Sequence, residues 1–287
     1  MDEALLESFA QELTALTARD AAGRGASRLS SPRELARAAS AFAPLSSVAV
    51  VSGFYIPAAG APETDGPGGA VALARAFLAE GRRCEIWTDS LCIDVMRKCA
   101  EAAGCPERTV REAPQTLKDA GLEGVIFVER PGRASDGRYY NFKKKDISAW
   151  AAPLDALALE ADMFGIRTIG IGDGGNEAGM GNYFAGLSAL LPDYVSCLSV
   201  VRAEFALTAD VSNWGAYSLA AALSFIWGRW RGMEPGDETK ILRAAAEAGA
   251  VDGISGISEL SVDGFGAPAL EEMVSDIKAL WKRAARG

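Results

Sequence analysis

One segment narrows the fold before any other. Ile169-Gly170-Ile171-Gly172-Asp173-Gly174-Gly175-Asn176-Glu177-Ala178-Gly179-Met180-Gly181-Asn182 holds six glycines, two carboxylates and two carboxamides. It begins inside a short β-branched run, residues 167–171, which predicts a strand. Ordering so many glycines costs backbone entropy. Such a loop is kept where the backbone must approach a partner closely, or where N–H groups must face an anion. A polar loop just past the carboxyl end of a strand is where open α/β sheets bind their ligands. The segment therefore reads as the floor of a site on a parallel sheet.

The rest of the chain repeats that strand-to-loop pattern. Apolar runs predict strands at 48–51, 84–87, 125–128 and 167–171, and a fifth at 195–200. Helices are expected over 69–80, 91–103 and 153–164, then over 214–230, 237–248 and 268–285. Upstream, Leu5, Leu6, Phe9, Leu13 and Leu16 have helical spacing, and Ser31-Pro32-Arg33-Glu34 opens a second helix with Ser31 as its cap. Residues 21–30 read as a loose basic linker. Strands alternating with helices predict an α/β fold, a parallel-sheet, Rossmann-like three-layer architecture with an N-terminal helical extension. The domain reading is a helix and linker over 1–30 and a single α/β domain over 31–287.

Composition removes several functions. The chain has 287 residues and no histidine, which excludes Ser-His-Asp and Cys-His catalysis and the commonest transition-metal ligand. Acid–base work falls to Asp, Glu, Lys, Tyr, Cys or water. Any metal is expected to be hard and oxygen-ligated, magnesium or manganese. A formal charge of −9 argues against a nucleic-acid partner. Five cysteines without a C-x-x-C pair read as reduced, buried thiols of a cytoplasmic protein. Neither a signal sequence nor a membrane span is expected.

The polar loops fall at equivalent places after the strands, so residues distant in sequence are expected to meet at one rim. Glu63-Thr64-Asp65-Gly66-Pro67-Gly68-Gly69 precedes a helix, either as a plain capped entry or as a carboxylate or phosphate site. Asp89 is open to reading as a ligand, a metal carboxylate or a helix cap. Arg130, Arg133 and Arg138 lie in one loop and are either carboxylate forks or surface ion pairs. Lys143-Lys144-Lys145 reads as a solvated run, and Tyr139, Tyr140 and Trp214 as packing. Gly170 to Gly175 fits G-x-G-x-x-G literally. However, Asp173 would repel a pyrophosphate, and Asp193 precedes its strand rather than ending it. No NAD is expected.

Glu63-Thr64-Asp65-Gly66-Pro67, Glu129-Arg130-Pro131-Gly132-Arg133, Asp136-Gly137-Arg138-Tyr139-Tyr140-Asn141, the glycine segment and Val211-Ser212-Asn213-Trp214-Gly215 together resemble the D-glutamate cyclase C-terminal domain family, over roughly residues 40–265. The resemblance implies a lyase converting D-glutamate to 5-oxo-D-proline and water, or acting on a related small acidic metabolite. Loop placement and the needs of that reaction nominate Asp173, Glu177 and Asp65 as acid–base groups. Arg130, Arg133 and Arg138 would grip carboxylates, and Gly174, Gly175 and Asn176 would stabilise an oxyanion. Asn213 and Thr64 would complete the substrate contacts, and Asp89 and Asp173 would be the metal carboxylates. Two other classes stay open. One is a metal-assisted hydrolase or phosphoryl-handling enzyme. The other is a non-catalytic subunit that binds an acidic metabolite for a separate hydro-lyase. A homodimer is the expectation on base rates.

Overall fold

The computed structural model describes residues 3–286. In chain order its main elements are α1 (Glu3–Thr17), α2 (Pro32–Phe42), β1 (Ser47–Ser52), α3 (Pro67–Ala79), β2 (Arg83–Thr88), α4 (Ile93–Ala102), β3 (Val110–Glu112), β4 (Gly124–Val128), α5 (Ala156–Met163), β5 (Arg167–Gly172), α6 (Phe184–Leu190), β6 (Phe205–Thr208), α7 (Ser212–Ile226), α8 (Asp237–Glu247) and α9 (Ala267–Ala284). The six strands form one parallel sheet in the order β3-β2-β1-β4-β5-β6. The order reverses between β1 and β4, and the crevice beyond their carboxyl ends is the topological switch point, where doubly wound sheets bind ligands.

Strand periodicity sorts the core. Val110, Ile86, Val50, Ile126, Ile169 and Phe205 lie in register across the sheet and face the larger apolar cluster, with α3, α4 and α7. Their neighbours Ala49, Val51, Trp87, Val125 and Phe127 point to the opposite face, against Leu157, Ala158 and Ala161 of α5. Continuous burial of both faces is why these strands read as unbroken apolar runs. Helix α7 is buried from Ser212 through Ser224. Helix α1 joins the same cluster through Leu6, Phe9 and Leu13, with the Phe9 ring 5.1 Å from that of Phe225. Ser31 accepts the Glu34 N–H at 3.3 Å and Pro32 occupies the first turn, so α2 starts as its sequence predicts.

Three local expectations are corrected. The apolar residues 195–200 do not form a strand. Pro192–Cys197 winds as a 3₁₀ turn, and the sixth strand is the four-residue run Phe205–Thr208. The edge strand β3 and helix α6 lie where the sequence pattern gives no element. Residues 21–30 are not a loose linker: the N–H groups of Arg19, Asp20 and Ala21 donate to the buried Asp210 carboxylate at 2.9, 2.7 and 3.1 Å, and Ala26–Leu29 forms a 3₁₀ turn. Cys84, Cys92, Cys99 and Cys197 are buried free thiols and Cys105 is half-buried. Among the described residues no helix is long and apolar enough to cross a membrane.

Candidate active site

Carboxylates stand at the carboxyl ends of the strands on either side of the switch point. Glu129 follows β4 directly and Asp173 follows β5, while Asp65 closes the loop between β1 and α3. One oxygen from each of Asp65, Glu129 and Asp173 lies within 4.8 Å of the other two, and all three residues are buried. The backbone is shaped for this meeting. Glu129 holds a φ of 44°, a left-handed conformation costly for a residue with a Cβ. Gly66 turns at φ 97°, where a Cβ would sit 2.8 Å from Ser52 Oγ and 3.0 Å from Glu129 Cβ. Only glycine lets the loop pass over the strand ends here.

The first turn of α7 organises the acids. The Ser212 N–H donates to Asp65 Oδ2 at 2.9 Å and to Asp173 Oδ2 at 3.0 Å, and the Ser212 hydroxyl donates to Glu129 Oε2 at 2.5 Å. The Asn213 N–H donates to Asp65 Oδ1 at 2.9 Å. The Asn213 side-chain oxygen accepts from the N–H groups of Gly66 at 3.0 Å and Gly69 at 2.6 Å, tying α7 to the start of α3. The positive end of the α7 dipole thus points at the carboxylates.

Six buried carboxylates, Glu63, Asp65, Glu129, Asp173, Glu177 and Asp263, act on one another here. Arg24 supplies the nearby cation. Its Nη2 donates to Asp173 and to Asp263, each at 2.8 Å, and to the Asp210 carbonyl at 2.9 Å. Burial alone would lower the Arg24 pKa, but Asp173 and Asp263 outweigh it and hold the guanidinium charged. The acids respond in the other sense. Burial, reinforced by Asp263, pushes Asp65 up to about 7. Burial raises Glu63 well above the usual carboxylate range, with Asp263 and Asp65 adding repulsion. Glu129 is raised by burial, then by Glu177 and Glu63. Asp173 is raised by burial against the opposing pull of Arg24. Carboxyls held protonated near neutrality serve as acids, and a shared proton lets a neighbour act as base.

The remaining residues expected from the sequence have other places. Glu177 is buried beneath the glycine loop and holds it shut: its oxygens accept the Gly174 N–H at 2.8 Å and the Gly175 N–H at 2.7 Å. Those two N–H groups are thereby engaged and do not stand open to an oxyanion. Gly170 and Gly179 let the loop fold back on β5, since a Cβ on either would meet the other's Cα at 2.5 Å. Asn176 donates to the Tyr140 carbonyl at 2.9 Å. Arg130 donates to Asp89 Oδ2 at 2.5 Å and to the carbonyls of Gly53 at 2.8 Å and Ala152 at 2.6 Å, while its buried Nε has no partner. Asp89 also accepts the Leu91 and Cys92 N–H groups in the turn before α4, and it is not one of the three acids that meet. Arg133 forks onto buried Asp155 at 2.7 and 3.1 Å, and Asp155 also accepts the Tyr139 hydroxyl at 2.5 Å. Arg138 is exposed, 3.8 Å from Asp146. The Thr64 hydroxyl donates to the Ser261 carbonyl at 2.8 Å. Sequence reasoning assigns no role to Arg24, Glu63, Glu129, Ser212 or Asp263. Glu129 carried a signal, since it ends a strand as Asp173 does. Arg24 carried none, because its segment has no periodicity.

Comparison with known proteins fits this site into a family. The family described as "D-glutamate cyclase-like, C-terminal" matches residues 13–278. The chain belongs to that family. Human mitochondrial D-glutamate cyclase is 32% identical over 302 aligned residues, which cover 89% of this chain and 49% of the human protein. The chain thus spans about half the length of that curated relative. A solved structure, an exopolyphosphatase-related protein from Bacteroides fragilis, superimposes over 90% of this chain and 61% of its own with a TM-score of 0.41 and 8% identity, too little to bear on fold or function. The matched region of the D-glutamate cyclase-like family begins before Arg24 and ends after Asp263, so it encloses every residue of the acidic site.

Proposed function

We propose that this chain is a lyase-type enzyme acting on a small acidic amino acid, and that its reaction is the conversion of D-glutamate to 5-oxo-D-proline and water. The observation that carries this reading is the meeting of Asp65, Glu129 and Asp173 under the first turn of α7, in a member of this family. In the reaction the α-amine nitrogen bonds to the γ-carboxyl carbon, a carbon–oxygen bond breaks, and water leaves. An ammonium must first lose a proton to a base, and the departing oxygen must gain one from an acid. Asp65, pushed up to about 7 by burial, titrates near neutrality and is suited to either task. Glu129 and Asp173, raised by burial, supply the second proton site. Arg24, the cation that donates to Asp173 and Asp263, is the charged group placed beside these acids to meet a substrate carboxylate.

The test is direct. The purified chain is incubated with D- and L-glutamate, with and without added divalent ions, and 5-oxoproline is measured by chiral chromatography and mass spectrometry. The D-enantiomer is expected to yield 5-oxo-D-proline. A folded protein that produces none from either enantiomer under any of these conditions overturns the assignment.

A further inference from the structure

The acidic cluster is poorly matched to its proposed substrate. D-Glutamate brings two carboxylates, and any of these acids that ionises around the one guanidinium repels both. Something positive has to stand between them. We propose that Asp65, Glu129 and Asp173 bind a divalent hard cation of the magnesium or manganese class.

The spacing fits. Two oxygens bound to one ion at about 2.1–2.5 Å lie no more than about 5 Å apart, and these three lie within 4.8 Å of one another. The donor set is carboxylate oxygen throughout, which selects a hard ion. The ligands are already oriented, because Ser212 and Asn213 fix their carboxylates from behind, the arrangement that keeps ligand geometry in place at metal centres. A second observation points the same way. Ser52 Oγ, on the last residue of β1 and beside Glu129 under Gly66, is fully buried and has no hydrogen-bond partner. Glu63 Oε1, equally without a partner, belongs to a buried side chain that interacts with Asp65, Asp263 and Arg24. A buried carboxylate oxygen without a donor costs free energy that a cation and its bound water relieve. With the ion in place the site attracts a carboxylate and polarises it. That use rests on the function proposed above, whereas binding of the ion does not.

The experiment strips the chain with a chelator and titrates it with manganese chloride. Free manganese is followed by electron paramagnetic resonance and bound heat by calorimetry. One ion per chain is expected, with a rise in melting temperature. Glu129→Gln and Asp65→Asn should each weaken binding at least about tenfold, with an unchanged circular dichroism spectrum, while Asp136→Asn on the exposed loop should bind as the parent does. Absence of saturable binding and of any thermal shift in the parent chain overturns the site, whatever the variants do. So does unaltered binding in folded Glu129→Gln and Asp65→Asn. The two readings fail separately. One bound ion with no turnover of either glutamate enantiomer supports the cation site and sinks the cyclase assignment. Formation of 5-oxoproline by the stripped chain, together with no saturable manganese binding, does the reverse.

Discussion

Along one rim of the sheet Arg130 meets Asp89 and Arg133 meets Asp155, a cation for each anion. Further along the same rim, Asp65, Glu129 and Asp173 crowd around Arg24, which Asp263 also claims. Both regions are polar and largely buried, apart from the half-buried Arg133, and both draw on loops at strand ends. They differ in charge balance. The paired region shapes the rim, each charge lying against an opposite one. The unbalanced region keeps its carboxyls raised and stores free energy that a ligand or proton must offset. Burial and loop position do not separate site from scaffold here; unmatched charge does.

Four measurements break or sharpen that contrast. The largest effect is expected for Glu129→Gln, which keeps shape but removes one titratable acid from the crowded cluster. Turnover of D-glutamate should fall by about 100-fold or more, while the melting temperature of the metal-free protein rises. Unchanged turnover, or a lower melting temperature, would place Glu129 in the scaffold instead. Arg130→Met should act in the opposite way. Stranding Asp89 and two carbonyls should lower the unfolding free energy by about 3–5 kcal/mol in denaturant titrations, with kcat of the folded fraction within about threefold of the parent.

The third concerns Glu238 on α8, which burial pushes up to about 8 and which accepts the Tyr217 hydroxyl. Its folded pKa lies above its unfolded one, so its contribution is complete in acid and is lost as pH rises through about 8. Metal-free protein should therefore lose stability between the ordinary carboxylate range and pH 8. Asp65, raised to about 7, adds to the same trend. Glu238→Gln should flatten that decline by about 1–3 kcal/mol, and identical slopes would argue against it. The smallest effect is expected at Arg138. Arg138→Ala should leave melting temperature and kcat/KM as they are, and a clear drop in kcat/KM would return this arginine to the substrate.

How much of this was legible in the sequence follows from the range of the forces involved. Apolar runs and helical spacing are local, so the four central strands and the long helices could be read within a few residues. The run at 195–200 misled because a short apolar stretch looks the same whether it lines a sheet or, as here, ends a 3₁₀ helix and leads into the buried Leu198. The idea that loops converge at a sheet rim needed only topology, and Asp65 and Asp173 do meet there. Pairing was not legible. Whether Arg133 forks onto a substrate or onto Asp155 depends on where residue 155 lies in space, and no local pattern encodes that. The same holds for Glu177, whose own loop closes on it, and for Arg24, which reaches Asp173 across 149 positions of sequence.

Ser212 and Asn213 are the start of the helix that runs buried through the middle of the molecule, and their backbone N–H groups hold the acids in place. Interior and proposed site therefore share a single rigid strut. A bulkier side chain at Ala221 or Ala222, where no exposed surface remains, would push on that strut and misalign the carboxylates from a distance. Repacking the interior of this fold is thus also an alteration of its chemistry, transmitted along the axis of α7.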